Sequence, residues 1–218
     1  MIINSWLLFL ISLMLLSSTL MIMQSHITSL IKLLILQNII LACYILTKAL
    51  HHPELALWIS FAITTFIKVI VLPVLLWKLT RFLKLSGRIE PIVNKATLLI
   101  IATVMILFGL LLGHKTAVII PHALLSGFSL GLANAFVAVI LIIFRRKAVS
   151  QVIGLLVLEN SIFIIAATLS TGFPWLIELG MSFDILMGFM IFTLFLIRIR
   201  QQYGSFQMSH IEKLRERV

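Results

Sequence analysis

The sequence has few charged residues and even fewer acidic ones. Only 11% of its 218 residues are charged, and seven of them are Asp or Glu. A soluble domain usually carries about 25% charged residues. Hydrophobic residues instead make up 61% of the chain, and the mean hydropathy is +1.20. A chain of this length cannot hide that much apolar surface in one core, so the composition excludes a soluble enzyme and a disordered chain.

Cysteine and the usual catalytic motifs are also scarce. The single cysteine, Cys43, lies inside an apolar run, so an internal disulfide and a secreted disulfide scaffold are excluded. The chain has no CxxC pair, no glycine-rich phosphate loop and no Ser-His-Asp spacing. A metal or haem site would need histidines that converge in a set geometry. Four histidines instead fall at the ends of apolar runs or in loops, and we expect no metal and no cofactor in this chain; they are His51, His52, His114 and His122.

Long apolar runs are what the sequence has in abundance. A transmembrane helix needs roughly 20 mostly apolar residues. Seven runs meet this requirement: 3–23, 27–50, 55–79, 96–113, 120–144, 148–170 and 174–198. None alternates with period two, which disfavours a β-barrel. The first run lacks a basic start and a small-residue cleavage site, so we expect a span and not a removed signal peptide. The sequence therefore predicts an all-α polytopic membrane protein with seven transmembrane helices.

The basic residues predict the orientation of these spans. If successive loops alternate sides, 13 of the 17 Lys and Arg residues share a side with the C-terminus, and only Lys48 and Lys115 lie opposite. Cytoplasmic loops carry the positive excess, which predicts an N-out, C-in protein. The net charge of +10 is then explained by topology and by contact with anionic lipid. We therefore expect lipid, and no nucleic acid, among the partners.

An internal repeat divides the chain. Residues 33–38 read LLILQN and residues 155–160 read LLVLEN. Each string is followed by a span with one charge near its middle, Lys68 or Asp184, and with a Trp about ten residues earlier. Leu-rich helices can match by chance, but the polar pair at the same place in both strings favours a true repeat.

The repeat predicts that spans 1–3 and spans 5–7 are two copies of one three-helix unit in the same orientation, as in many transporters. This gives a predicted organisation of four parts. They are a first unit at 1–80, a cytoplasmic loop with linking span 4 at 81–119, a second unit at 120–200, and a cytoplasmic tail at 201–218.

Three charges lie near the middle of their spans: Lys68, Glu159 and Asp184. Inserting a charged side chain at this depth costs about 2.5–3.5 kcal/mol of free energy, so each of the three is expected to have a structural or functional role. One interpretation is that buried ion pairs hold the bundle together, and the other is that these groups exchange protons, as in pumps. Under the proton-exchange interpretation, Lys32 and Gln37 are further candidates for the path. Lys32 lies one turn into span 2 and could instead snorkel to the headgroups, and Gln37 stands where Glu159 stands in the other copy.

Small residues predict where helices approach closely. Gly180 and Gly188 flank Asp184 by one turn on each side, so all three share a helix face. We expect this face to meet protein and not lipid. Span 5 offers a matching surface, which also fits ordinary helix packing: Gly127, Gly131 and Asn134.

Pro73 interrupts span 3 close to Lys68. A proline removes one backbone hydrogen bond and frees the carbonyl four residues earlier, which is that of Val69. This predicts a free acceptor or a water site beside Lys68. A kink that serves packing alone is the alternative.

Several of these segments together resemble one known family, the hydrogenase-4 component E family. The resemblance covers most of the chain and is carried by Phe66–Val69 with Pro73, Gln151–Gly154 with Glu159 and Asn160, and Glu178–Gly180 with Asp184. It implies a small subunit of a formate-hydrogenlyase-type complex in the bacterial inner membrane, with no metal centre of its own. The implied partners are antiporter-like subunits, a membrane-anchor subunit and a cytoplasmic hydrogenase or similar module.

Spans 5–7 are also similar to the three-helix K subunit of respiratory complex I and to its counterpart in multisubunit sodium/proton antiporters. That resemblance implies one intramembrane carboxylate on each of two helices along a lateral proton path. Asp184 matches the second carboxylate, whereas Leu155 occupies the first position, one turn from Glu159.

The resulting hypothesis is a membrane subunit in which Glu159, Asp184 and Lys68 serve lateral proton transfer. Two alternatives stay open: a structural scaffold that seats larger partners, and a stand-alone secondary transporter. The basic tail at 203–218 fits either docking to a cytoplasmic partner or contact with lipid.

Overall fold

The computed structural model describes residues 2–51, 54–82, 93–116 and 122–169, together with five single positions between 180 and 198. These residues are almost entirely helical, with no β-strand among them. The helices are α1 (Ile2–Met23), α2 (Ile27–His51), α3 (Leu55–Ile63), a π-helical segment (Thr64–Val71), α4 (Leu72–Phe82), α5 (Lys95–Lys115), α6 (His122–Ile143) and α7 (Ala148–Leu169).

Six helical spans of the described residues are long and apolar enough to cross a membrane. α3, the π-helical segment and α4 run together as one span, Leu55–Arg81. These six correspond to predicted spans 1–6, so the prediction of an all-helical, multi-pass membrane protein is confirmed at that level. Predicted span 7 at 174–198 and the tail at 201–218 lie outside the described residues, apart from the single positions. The seventh span, the N-out, C-in orientation and the division into two three-helix units stay predictions. Below, first unit and second unit are used only as names for residues 1–80 and 120–200.

Two helices organise the bundle. α6 packs against α1, α5 and α7, while α2 packs against α1, the third span and α7. Two apolar clusters result, one at each end of the bundle. The first includes Met21, Leu34, Leu76 and Leu141, and the second includes Met14, Leu41 and Phe163. On α1, α2 and α7 the two clusters are separated by a few polar residues, which form the layer described below.

α5 lies at the edge of the bundle and touches α6 backbone to backbone. A Cβ placed on Gly109 would lie 2.7 Å from the Cα of Ala133, and one on Gly113 would lie 2.6 Å from the Cα of Ser129. Glycine lets helices approach this closely. The spacing of these two glycines is the signal in the sequence for this contact, and our sequence analysis missed it.

The glycine face of α6 packs against α7. A Cβ on Gly127 would lie 3.0 Å from Thr168, and one on Gly131 would lie 2.8 Å from Ile165. Both neighbours belong to α7, which follows α6 directly in the chain. The expected pairing of this face with Asp184 stays a prediction, because Asp184 lies outside the described residues.

A buried arginine joins the two units at one end of the bundle. Arg145, between α6 and α7, is only 1% exposed. Its guanidinium donates to the carbonyls of Met21 at 2.6 Å, Ile22 at 3.0 Å and Gln24 at 2.8 Å, at the C-terminal end of α1. Burial lowers the pKa of this guanidinium, but an arginine stays charged at neutral pH. Arg145, which the orientation argument treats as an ordinary loop charge, is thus a helix cap.

The opposite end of the bundle has a comparable contact. The Lys48 amino group, in the last turn of α2, donates to the carbonyl of Ala167 near the end of α7. The same amino group lies 5.4 Å from the centre of the Tyr44 ring. Cations placed at helix C-termini are favourable, so each end of the bundle has one basic side chain tying the first unit to the second.

Candidate functional site

A layer of buried polar side chains crosses the bundle between the two apolar clusters. We call it the polar layer and define it by Ser18, Gln37, Asn38, Lys68, Asn134, Glu159, Asn160 and Ser161. Each of these residues is at most 5% exposed. α1, α2, the third span, α6 and α7 all contribute to it, so it connects most of the described bundle. A buried polar group must be hydrogen-bonded or paired to be tolerated in an apolar bundle.

The centre of the polar layer is an ion pair. Lys68 Nζ lies 3.1 Å from Glu159 Oε1, and the two side chains are 1% and 4% exposed. The ammonium also donates to Asn160 Oδ1 at 3.3 Å and lies 5.5 Å from the centre of the Phe163 ring. The structure thus brings together two of the three mid-span charges singled out in the sequence, one from each unit.

The two asparagines of the repeated strings bind each other. Asn160 Nδ2 donates to Asn38 Oδ1 at 2.7 Å, and Asn38 Nδ2 donates to the backbone carbonyl of Lys68 at 2.6 Å. Together with the bond from Lys68 Nζ to Asn160, these contacts close a ring through three residues. The ring fixes which way each amide points, because each amide donates on one side and accepts on the other.

The backbone around Lys68 explains why that carbonyl needs Asn38. The π-helical segment pairs each N–H with the carbonyl five residues earlier, and the N–H of Leu72 does so with Ile67. In that register the next donor would be residue 73, which is proline and has no N–H. The carbonyl left free is therefore that of Lys68. The prediction of Val69 assumed an α-helical register, whereas the π-helical register places Lys68 five residues before the proline.

Gln37 lies in the polar layer but faces away from the ion pair. Its Nε2 donates to Ser18 Oγ at 2.8 Å, and Ser18 Oγ donates to the carbonyl of Met14 at 3.0 Å. Gln37 thus binds α1, within its own unit. Ser18 was missed in the sequence, where a lone serine in an apolar span carries too little signal.

Asn134 extends the layer on the other side of α7. Its Nδ2 donates to Ser161 Oγ at 2.8 Å, which in turn donates to the carbonyl of Val157 at 2.7 Å. Glu159 and Ser161 are two positions apart on one helix and so lie on roughly opposite faces. Asn134 therefore belongs to the layer without touching the ion pair.

Three other predicted positions lie elsewhere. Lys32 is exposed near the start of α2, which fits the snorkelling interpretation and keeps it out of the polar layer. Gly180 and Gly188 are exposed, and a Cβ on either would meet no described atom within 4 Å. Asp184 itself lies outside the described residues.

The polar layer has spare acceptor capacity. Among the described residues, Gln37 Oε1, Asn134 Oδ1 and Glu159 Oε2 have no hydrogen-bond partner. The oxygens belong to different faces, and in the described part of the chain no three His, Cys, Asp or Glu side chains cluster as a metal site would require. All three oxygens can accept hydrogen bonds from water, and only the carboxylate of Glu159, which adjoins a lysine, can also accept a proton.

Comparison with known proteins adds one relative. The chain is 25% identical over 205 residues to an uncharacterized protein of Mycobacterium tuberculosis, Rv0085, and the match covers 92% of each chain. No family model matches the chain. No solved structure matches it.

Proposed function

We propose that this chain is an integral subunit of a hydrogenase-like or complex-I-like membrane complex in the bacterial inner membrane. In this proposal Lys68, Glu159 and Asp184 carry protons laterally through the polar layer, between antiporter-like and membrane-anchor partners. The observation that carries the proposal is the ion pair of Lys68 and Glu159, buried to 1% and 4% exposure in the middle of the bundle.

The chemistry of the pair supports a proton-transfer role. At 3.1 Å a proton can pass from the ammonium of Lys68 to the carboxylate of Glu159, which converts two opposite charges into two neutral groups. The net charge of the pair does not change in this step, so the bilayer opposes it little. A proton can then leave through Glu159 Oε2, which has no hydrogen-bond partner among the described residues. Asp184 is proposed as the next acceptor in the second unit.

Gln37 has a smaller role in this proposal. An amide cannot titrate, and Gln37 donates to Ser18 and not to either charge. The first unit therefore contributes its lysine but no acid of its own at the repeated position. Lys32, exposed at the start of α2, is left out of the path.

The proposal is tested by removing both charges together. Breaking one side of a buried pair destabilises a protein, whereas replacing both partners is often neutral. The tagged chain and its co-purifying subunits are reconstituted into liposomes, and proton uptake driven by an imposed potassium diffusion potential is followed with a pH-sensitive dye. Lys68→Met with Glu159→Gln should preserve assembly and reduce proton flux by about tenfold or more. Glu54→Gln and Lys32→Gln, both at exposed positions, are the matched controls and should leave the flux unchanged.

A structural scaffold is the second candidate, and one observation favours it. The same ion pair and the bond between Asn38 and Asn160 join the first unit to the second. If the double variant loses the co-purifying subunits, or if it assembles and conducts normally, the scaffold interpretation replaces the proton path. Flux through the chain reconstituted alone would instead support a stand-alone transporter.

A further inference from the structure

We infer that Asn38 is a positioning residue: its side-chain amide replaces the backbone donor that Pro73 lacks, and so holds the π-helical segment in the register that places Lys68 against Glu159. The inference rests on the proposed function, because proton flux is one of its readouts. The hydrogen bond to the Lys68 carbonyl can be measured independently of proton flux.

The backbone before Pro73 leaves the Lys68 carbonyl without a backbone donor. Leu72 donates to Ile67 in the five-residue register, and Pro73 cannot donate to Lys68. A buried carbonyl without a donor is costly, and nearly all such groups are paired. Asn38 Nδ2, 2.6 Å away on α2, supplies the donor. The π-helical register of one span is thus completed by a side chain of another.

Hydrogen bonds also connect the Asn38 side chain to the Lys68 ammonium. The oxygen of Asn38 accepts from Asn160, and the oxygen of Asn160 accepts from Lys68 Nζ. Asn38 therefore acts on Lys68 at both ends, directly at its carbonyl and through Asn160 at its ammonium. Neither leucine nor an ionised aspartate can replace it, because the position must donate and accept at once.

Loss of the π-helical register would change the direction of the Lys68 side chain. Returning the segment to an α-helix would rotate its second half, which includes Lys68, against its first half by up to one position, about 100° at roughly 3.6 residues per turn. Lys68 would then present a different direction to α7, and its ammonium could no longer meet both Asn160 and Glu159. The register of the π-helical segment decides whether the ion pair forms.

A double-mutant cycle tests this assignment. Asn38→Leu removes the donor, whereas Pro73→Ala restores a backbone N–H at the position that should bond to Lys68. We expect Asn38→Leu to lower proton flux by about tenfold. Pro73→Ala in the same chain should recover part of that loss, because it restores a donor for the Lys68 carbonyl but not the acceptor for Asn160. Asn160→Leu is the matched control: it breaks the ring at the ammonium and not at the carbonyl, so Pro73→Ala should not rescue it.

The sequence allows the carbonyl to be observed directly. Lys68 is the only lysine followed by valine. When this chain alone is labelled with carbonyl-¹³C lysine and ¹⁵N valine and then reconstituted with its unlabelled partners, the labels isolate the Lys68–Val69 peptide in solid-state NMR spectra. The Lys68 carbonyl resonance should move in the Asn38→Leu variant and move back when Pro73→Ala is added.

Each outcome has a defined meaning. An unmoved carbonyl resonance in Asn38→Leu, or no reversal by Pro73→Ala, overturns the inference. If Asn38→Leu does not assemble, the variant that also carries Pro73→Ala should, and its failure to assemble also overturns the inference. If the resonance behaves as expected while flux is normal in every variant, the positioning of Lys68 is supported and the proposed proton path is rejected.

Discussion

The repeated strings in α2 and α7 share a sequence pattern but use it differently. Asn38 and Asn160 meet each other, so the repeat is preserved as a contact. The residues before them diverge: Gln37 binds Ser18 inside the first unit, while Glu159 reaches across to Lys68. An amide is satisfied by a serine, but a carboxylate in an apolar bundle needs a cation. The amide at position 37 thus contacts the neighbouring helix α1, whereas the acid at position 159 contacts the third span.

The largest expected effect comes from removing one partner of the ion pair between Lys68 and Glu159. Glu159→Met alone leaves the Lys68 ammonium buried without a counter-charge, which should lower the free energy of unfolding by about 3–5 kcal/mol. Adding Lys68→Met removes the isolated charge and should recover most of the loss. Unfolding in detergent, followed by circular dichroism, measures both variants, and equal losses in the single and double variants would contradict the pairing.

A somewhat smaller effect is expected where the units are joined at the end of the bundle. Arg145→Leu removes the donor of three carbonyls at the end of α1 and should cost about 2 kcal/mol. Arg146→Leu changes the exposed neighbour and should cost little. Thermal melting of the two purified variants compares them. If both melt alike, Arg145 does not tie the units together.

A further variant gives both repeated strings the same polar pair, Glu followed by Asn. Gln37→Glu places a carboxyl group in the first unit beside Ser18, with no described cation as its partner, and should destabilise the protein by about 2 kcal/mol. Gln37→Met, which only removes a hydrogen bond, should cost about 1 kcal/mol. The two variants are ranked by denaturation under the same conditions. A Gln37→Glu protein as stable as the parent would show that the first unit tolerates an acid without a lysine.

The smallest effect is expected at the lysine that the structure leaves exposed. Lys32→Gln should change the free energy of unfolding by less than about 0.5 kcal/mol, in contrast to any single substitution at Lys68. The same denaturation experiment detects the difference. A large loss at position 32 would mean that this side chain has a partner outside the described residues.

Much of the fold follows from composition and periodicity. Six spans match six described helices within a few residues, because a bilayer imposes both length and polarity on a helix. Lys68 and Glu159 could also be singled out from the sequence, since charges in apolar runs are rare, and the structure pairs them.

The contacts between side chains did not follow from the sequence. The spacing rules predicted a free carbonyl at Val69, but they assume a regular α-helix, and Pro73 is accommodated here by a π-helical segment. The packing of α7 on the α6 glycine face was not predicted, because small residues show that a helix approaches without showing which one. The caps at Arg145 and Lys48 depend on residues more than 100 positions away, which no local pattern encodes.

The long separation of these contacts bears on how the protein is made. Lys68 and Glu159 are 91 positions apart in the chain, and the carbonyls at the end of α1 obtain their arginine 121 to 124 positions later. During synthesis the third span therefore enters the bilayer before its counter-charge has been translated. Until α7 is made, the Lys68 ammonium therefore has no Glu159 to neutralise it, which adds an energetic cost to inserting the third span first.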